Sequence, residues 1–288
     1  MASKSRIMKG KQIEFANVQL SNDNPFVLFG GLNVLESREL SLRVAETFKV
    51  VCEDLDIPLV FKASFDKANR SSIESFRGPG LEDGIRWLED IKEQLSLPII
   101  TDVHEVVQVK PVAEVADVIQ LPAFLSRQTD LIAAMAATNR PINIKKAQFL
   151  APEEMIYILR KFASLGNNKL IICERGSIYG YKNLVVDMLG LSVMKNFEYP
   201  LIFDVTHSLQ QPGGLAGAAG GRRMYVAQLA KAGLSQGLAG LFLEAHPNPS
   251  EALCDGPSAL KIDRLRPFLE QMKELDYLIK SQLPIDTA

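Results

Sequence analysis

The chain has 288 residues, of which 47% are hydrophobic and 23% charged, the proportions of an ordinary globular protein rather than a disordered, collagenous or coiled-coil chain. Lys and Arg total 32 against 34 Asp and Glu, a net charge of −2. No global positive field exists to attract nucleic acid or an anionic membrane, so any anionic ligand has to be met by a local cluster. The N-terminal MASKSRIMKGKQIEF is basic but has no apolar run behind it, so it is not a secretory signal. No window approaches the ~18 apolar residues of a membrane span, and a cytoplasmic protein is expected. Residues 1–24 form an extension in which Gln12–Phe15 and Val18–Leu20 predict a small hairpin, suited to plug the bottom of a barrel.

After it, apolar runs alternate with amphipathic stretches. The runs are Phe26–Gly31, Leu59–Ser64, Pro98–Val103, Val118–Ala123, Ile142–Ala147, Leu170–Arg175, Leu201–His207 and Gly240–His246. Continuous apolar runs of this length fit parallel strands buried on both faces. Helical patterns lie between them, among them Ser37–Leu55, Leu81–Leu95, Pro152–Leu165 and Tyr225–Leu234. Eight such strands alternating with helices predict an α/β fold, a (β/α)8 TIM barrel, as one domain over 1–288 with a short N-terminal β-hairpin extension. A doubly wound sheet is disfavoured because no GxGxxG follows the first strand. Cys52, Cys173 and Cys254 are too few and too widely spaced for a disulfide framework or a local metal motif, and read as buried thiols.

A barrel places its chemistry at the C-terminal ends of the strands. Those ends carry Lys62, Asp102 with His104, Lys145 with Lys146, Glu174 with Arg175, Asp204 with His207, and Glu244 with His246, with Asp255 in the loop beyond. Charged groups are costly in buried strands unless paired or liganded, so this convergence predicts a site. Lys62, Lys67, Arg70, Lys145 and Arg175, with Arg127 nearby, would suit a multiply anionic ligand. Ser71 and Ser72 beside Arg70 favour phosphate. Lys146, by strand alternation, points away from Lys145 and is expected to be paired or solvated. His207, Glu244 and Asp255 read either as three ligands of a divalent metal or as a hydrogen-bonded acid–base cluster. Asn33, at the end of the first strand, is a poor fourth ligand. The glycine-rich Gln211–Arg223 follows the seventh strand, where barrels often bind phosphate, and is expected to be a mobile lid bringing Arg222 or Arg223 over the anions.

The segments KASFDKANRSS, NIKK with Gln148, ERG, FDVTHSLQ, FLEAHP and DGPSAL, in this order from about Pro25 to the last helix, together resemble the 3-deoxy-D-manno-octulosonate 8-phosphate (KDO8P) synthases. The resemblance implies condensation of phosphoenolpyruvate with D-arabinose 5-phosphate, release of phosphate, a product used for Kdo and lipopolysaccharide, a (β/α)8 barrel and a homotetramer. It implies Lys62, Lys67, Lys145, Gln148 and Arg175 around phosphoenolpyruvate. Arabinose 5-phosphate would lie along Asn69, Arg70 and Ser71, with Arg127 supplied by a neighbouring subunit. Asn33 stands where a metal-dependent subclass has cysteine, so the resemblance implies the metal-independent subclass: no metal, no cofactor, and Asn33, His207, Glu244, Asp255 and Lys145 as the catalytic set. The chain departs from the family pattern at Ala147 (usually proline), Ala219 (usually serine) and Lys261 (usually proline). Three rival readings are a DAHP synthase using erythrose 4-phosphate, a Schiff-base aldolase with Lys145 as nucleophile, and a barrel that only binds sugar phosphates.

Overall fold

The Val-, Ile-, Leu- and Phe-rich runs close into a ring in the computed structural model, which describes residues 10–215, 218–283 and 285. A hairpin comes first, β1 (Ile13–Phe15) against β2 (Val18–Leu20). The parallel barrel strands are β3 (Val27–Val34), β4 (Leu59–Ser64), β5 (Ile99–Asp102), β6 (Val118–Leu121), β7 (Ile142–Lys145), β8 (Leu170–Glu174), β11 (Leu201–Asp204) and β14 (Gly240–His246), and β11 pairs with β14 to close the ring. Two antiparallel ribbons decorate its mouth, β9 (Ser177–Ile178) with β10 (Leu184–Val185) and β12 (Gln210–Leu215) with β13 (Ala218–Gly221); β15 (Leu260–Lys261) extends β14. Each barrel strand leads into a helix: α1 (Arg38–Asp54), α2 (Leu81–Leu95), α3 (Val106–Val115), α4 (Thr129–Ala137), α5 (Met155–Ser164), α6 (Met188–Lys195), α7 (Val226–Leu234) and α8 (Leu265–Ser281). The (β/α)8 expectation is met.

Strand alternation divides the core in two. Leu28, Leu59, Phe61, Leu201 and Phe203 face outward and pack against the helices. Val27, Phe29, Val60, Ile100, Val118, Ile171 and Ile202 fill the barrel interior together with Ile13, Phe15, Val18 and Leu20 of the hairpin. The hairpin therefore plugs the barrel, as its apolar alternation predicts; the first nine residues of the extension lie outside the described residues. Cys52, Cys173 and Cys254 are free and buried, and burial pushes each thiol up to about 12.

Three boundaries differ from the sequence reading in ways that shape the site. β3 runs past Gly31 to Val34, so Asn33 stands in the strand itself. Glycine is required at position 31, where a Cβ would come within 2.1 Å of the Lys62 carbonyl oxygen on β4. β11 stops at Asp204 rather than His207, because the Asp204 carboxylate accepts the backbone N–H groups of Thr206 (3.1 Å) and His207 (2.8 Å) and turns the chain out of the sheet. The Gln211–Arg223 segment, expected as a mobile lid, is built largely as the β12–β13 ribbon; Ala216 and Gly217 lie outside the described residues. Arg222 donates to the Leu184 carbonyl (3.3 Å) and Arg223 to that of Gly256 (3.3 Å). Among the described residues no helix is long and apolar enough to cross a membrane.

Candidate active site

The parity that packs the barrel also builds its mouth. Two residues beyond an inward apolar side chain, five of the strands present a polar one: Lys62 after Val60, Asp102 after Ile100, Gln120 after Val118, Asp204 after Ile202 and Glu244 after Phe242. Asn33 follows Phe29 by two such steps and Arg175 follows Ile171 likewise. They converge on a cleft of about 830 Å³ at the C-terminal ends of the strands. Lys62, Lys67, Asn69, Arg70, Ser71, Lys145, Gln148, Arg175, His207 and Asp255 all line it. Asn33 and Glu244 are buried in its wall. Arg127 is exposed and does not line the cleft of its own chain.

Asn33 sits at the centre of the predicted acid–base set. Its Nδ2 donates to Glu244 Oε2 (2.5 Å) and Asp255 Oδ2 (3.2 Å) and lies 3.5 Å from His207 Nε2. Two carboxylate acceptors fix the amide with its nitrogen toward them, which leaves Oδ1 buried without a partner among the described residues. A divalent cation does not fit this donor set, because an N–H donor occupies the point where the three other side chains converge. Burial alone would raise the Glu244 carboxyl, but His207, Lys62 and Lys67 outweigh it and hold the group at about 2.

The cations divide by what they touch. Lys62 has each ammonium hydrogen engaged, on Asn33 O (3.2 Å), Ser64 Oγ (3.1 Å) and Glu244 Oε1 (2.9 Å). Lys145 is paired with Asp204 and stands over the Phe242 ring, 3.2 Å from its centroid. Lys67, by contrast, lines the cleft and makes no side-chain hydrogen bond among the described residues. Burial would lower its pKa, yet Glu244, Asp102, Cys254 and Asp255 together raise it, so it stays an ammonium. Arg175 uses Nη2 on Gln210 Oε1 (2.7 Å), while Nη1 is buried without a partner. Gln148 Oε1 is likewise unpartnered. Lys67 and Arg175 Nη1 thus keep free donors for an anionic ligand, while Gln148 Oε1 offers an acceptor to a hydroxyl or water beside it.

The profile of the DAHP synthetase I family matches residues 6–281. The chain belongs to the DAHP synthetase I family. Within that family it is similar to proteins named 2-dehydro-3-deoxyphosphooctonate aldolase. Those of Pseudomonas entomophila (strain L48), Pseudomonas aeruginosa (strain UCBPP-PA14) and Hahella chejuensis (strain KCTC 2396) are 64%, 65% and 63% identical over 281 residues, covering 98% of this chain and 100% of each relative.

In this member of the DAHP synthetase I family, the sequence reading names Asp204 as a strand end but gives it no role in the site. Asp204 is fully buried, pairs with Lys145 and meets His207 Nδ1 at 2.7 Å. Desolvation opposes its charge, but His207 and Lys145 hold its carboxyl far below the usual carboxylate range. A carboxylate only accepts, so Nδ1 carries the proton and Nε2 is turned toward Asn33, Glu244 and Asp255. Asp102 is the second omission. It accepts from Ser64 Oγ (2.5 Å), and it raises the His104 imidazole pKa against the opposing effect of burial. Each carries the parity signal described above.

Proposed function

We infer that this chain condenses phosphoenolpyruvate with D-arabinose 5-phosphate and water, giving 3-deoxy-D-manno-octulosonate 8-phosphate and phosphate, the reaction that feeds Kdo and lipopolysaccharide synthesis. The observation that carries it is a cleft whose free cationic donors face an Asn–His–Glu–Asp cluster, in a chain similar over nearly its whole length to 2-dehydro-3-deoxyphosphooctonate aldolases. Lys67, Arg175 and Gln148 hold phosphoenolpyruvate, with Lys145 and Lys62 behind them; Asn69, Arg70 and Ser71 hold the sugar phosphate. The enol carbon attacks the aldehyde carbon of the open-chain sugar, water adds to the carbon left cationic, and the resulting hemiketal phosphate expels inorganic phosphate. Bringing two anions together is the electrostatic problem, and preorganised ammonium and guanidinium groups answer it by neutralising charge and fixing orientation. His207 Nε2 and Asp255 position and deprotonate the water, and the unpartnered Asn33 Oδ1 holds that water or a substrate hydroxyl. The reaction proceeds without a metal. Arg127, exposed beyond its own cleft, reaches the sugar phosphate of a neighbouring subunit in a homotetramer, and the enzyme works in the cytoplasm.

A Schiff-base mechanism on Lys145 is disfavoured, since an amine nucleophile has to be neutral and Lys145 is held against the Asp204 carboxylate. The purified chain is expected to release phosphate from phosphoenolpyruvate only when an aldose phosphate is added, best with arabinose 5-phosphate. Equal or better turnover with erythrose 4-phosphate overturns the reading in favour of a DAHP synthase.

The two arginines separate the two substrates. Arg175→Ala is expected to raise KM for phosphoenolpyruvate, and Arg70→Ala that for arabinose 5-phosphate. Each loses a charge-assisted hydrogen bond of about 1.5–3 kcal/mol, roughly ten- to a hundred-fold. The same pair of effects from both variants would contradict the assignment.

A further inference from the structure

Besides Lys62–Glu244 and Lys145–Asp204, Lys146 and Glu174 form a further buried ion pair, which the chemistry above does not use. Neither lines the cleft. Lys146 is 0% exposed and Glu174 2%, at positions whose parity directs them outward, between barrel and helices. Burying two charges there brings no clear stability, because well-packed apolar residues generally do as well at such positions. Their contacts point to a different use. Lys146 Nζ lies 3.6 Å from Glu174 Oε2, donates to Ser177 Oγ (3.0 Å), and reaches the carbonyls of Leu150 (3.3 Å) and Ala147 (3.4 Å). It therefore ties the loop after β7 to the segment after β8. Glu174 Oε1 accepts the backbone N–H groups of Arg175 (2.9 Å) and Gly176 (2.5 Å) and so sets the turn from which the Arg175 side chain enters the cleft. The same two segments are stitched by the Ile178 N–H on the Gln148 carbonyl (2.8 Å). Gln148 and Arg175 both line the cleft, and each keeps an unpartnered buried polar atom, Oε1 and Nη1.

We propose that the Lys146–Glu174 pair, with Ser177, is a positioning device that holds Gln148 and Arg175 in register for phosphoenolpyruvate while leaving the sugar-phosphate side of the cleft alone. This rests on the assignment of those two residues to phosphoenolpyruvate. The asymmetry is built in: Asn69, Arg70 and Ser71 belong to the loop after β4, which Lys146 and Glu174 do not touch. The pair acts through Arg175 and Gln148, never on substrate.

The experiment measures the dissociation constant of phosphoenolpyruvate by calorimetry on the full chain, and both KM values in the phosphate-release assay, for wild type, Lys146→Met, Lys146→Arg and Ser177→Ala. Lys146→Met is expected to raise the phosphoenolpyruvate constants about ten- to a hundred-fold, the cost of a small misplacement of binding groups, with KM for arabinose 5-phosphate near the wild-type value. Lys146→Arg, which keeps the charge, is expected to recover part of the loss. If Lys146→Met does not fold, Ser177→Ala decides, since it removes one partner of the ammonium from a half-buried position; a selective rise for phosphoenolpyruvate supports the proposal. Equal rises for both substrates, or no change for phosphoenolpyruvate, overturn it. A wild-type chain that turns over both substrates beside a variant with unaltered phosphoenolpyruvate binding sinks this inference alone. A wild-type chain that does not bind phosphoenolpyruvate sinks the functional reading as well.

Discussion

Asp204→Asn is expected to lower kcat by on the order of a thousand-fold or more, the scale seen when a carboxylate that fixes a catalytic imidazole is replaced by its amide. The substitution is nearly isosteric, and the amide oxygen can still accept the N–H groups of Thr206 and His207 that end β11. What changes is the other oxygen, which meets both Lys145 and His207 Nδ1. An amide nitrogen there is a donor facing two donors. Lys145 is left as an ammonium in a buried site with no anion beside it, and His207 is driven to put its proton on Nε2, the nitrogen that faces Asn33, Glu244 and Asp255. The water-activating end of the imidazole is then already protonated. Breaking a buried pair by removing one charge costs about 3–5 kcal/mol, so the midpoint of thermal unfolding should fall as well. Stability and catalysis are separated by assaying well below the variant's unfolding temperature. A kcat within ten-fold of wild type for a folded Asp204→Asn protein would mean that Asp204 only packs the wall.

Much of this site is legible in the sequence because one rule, strand alternation, serves both packing and chemistry. Once Val60 is placed inside the barrel, Lys62 follows, and the same step from Ile202 gives Asp204. The reading that places Lys146 on the opposite face from Lys145 uses this rule and is met: Lys146 is paired with Glu174, though buried rather than solvated. Asp204 and Asp102 carry the same signal, but as partners of Lys145 and of Ser64 they act through side-chain contacts between strands, Ser64 with Asp102 from neighbouring β4 and β5 and Lys145 with Asp204 over the intervening β8. Those contacts depend on the rotamer and height of each side chain in the barrel mouth, which spacing along the chain does not encode. The β12–β13 ribbon escaped for another reason. Glycine-rich sequence indicates backbone freedom, and that freedom serves a tight antiparallel ribbon as readily as an unpaired loop. At the mouth, Arg70 donates to the Leu253 carbonyl at 3.4 Å, a contact across 183 positions that no local pattern announces.

Asn33 decides the metal question, and the expected result is full wild-type activity after exhaustive dialysis against EDTA. The argument is geometric. In Asn33 a donor nitrogen lies 2.5 Å from Glu244 Oε2, 3.2 Å from Asp255 Oδ2 and 3.5 Å from His207 Nε2, where a cation would have to stand. Its N–H groups satisfy the carboxylates, so the cluster is complete without an ion. A neutral amide oxygen is also a far weaker ligand than a thiolate for zinc or iron. Asn33→Cys reverses both conditions. It removes the donor that holds Glu244 and Asp255, and it places a sulfur beside an imidazole and two carboxylates already gathered by the barrel. The variant is therefore expected to bind one divalent ion per chain, visible with cobalt as a thiolate charge-transfer band absent from wild type. Thiolate–metal bonds of about 2.3 Å require only a local inward shift of these side chains. Wild-type activity that disappears on chelation and returns with manganese, zinc or iron would show that the Asn33 amide gives way to a cation in the working enzyme. An Asn33→Cys protein that folds but shows no cobalt band would show that His207, Glu244 and Asp255 are held too rigidly by Asp204, Lys62 and the β14 backbone to close on one.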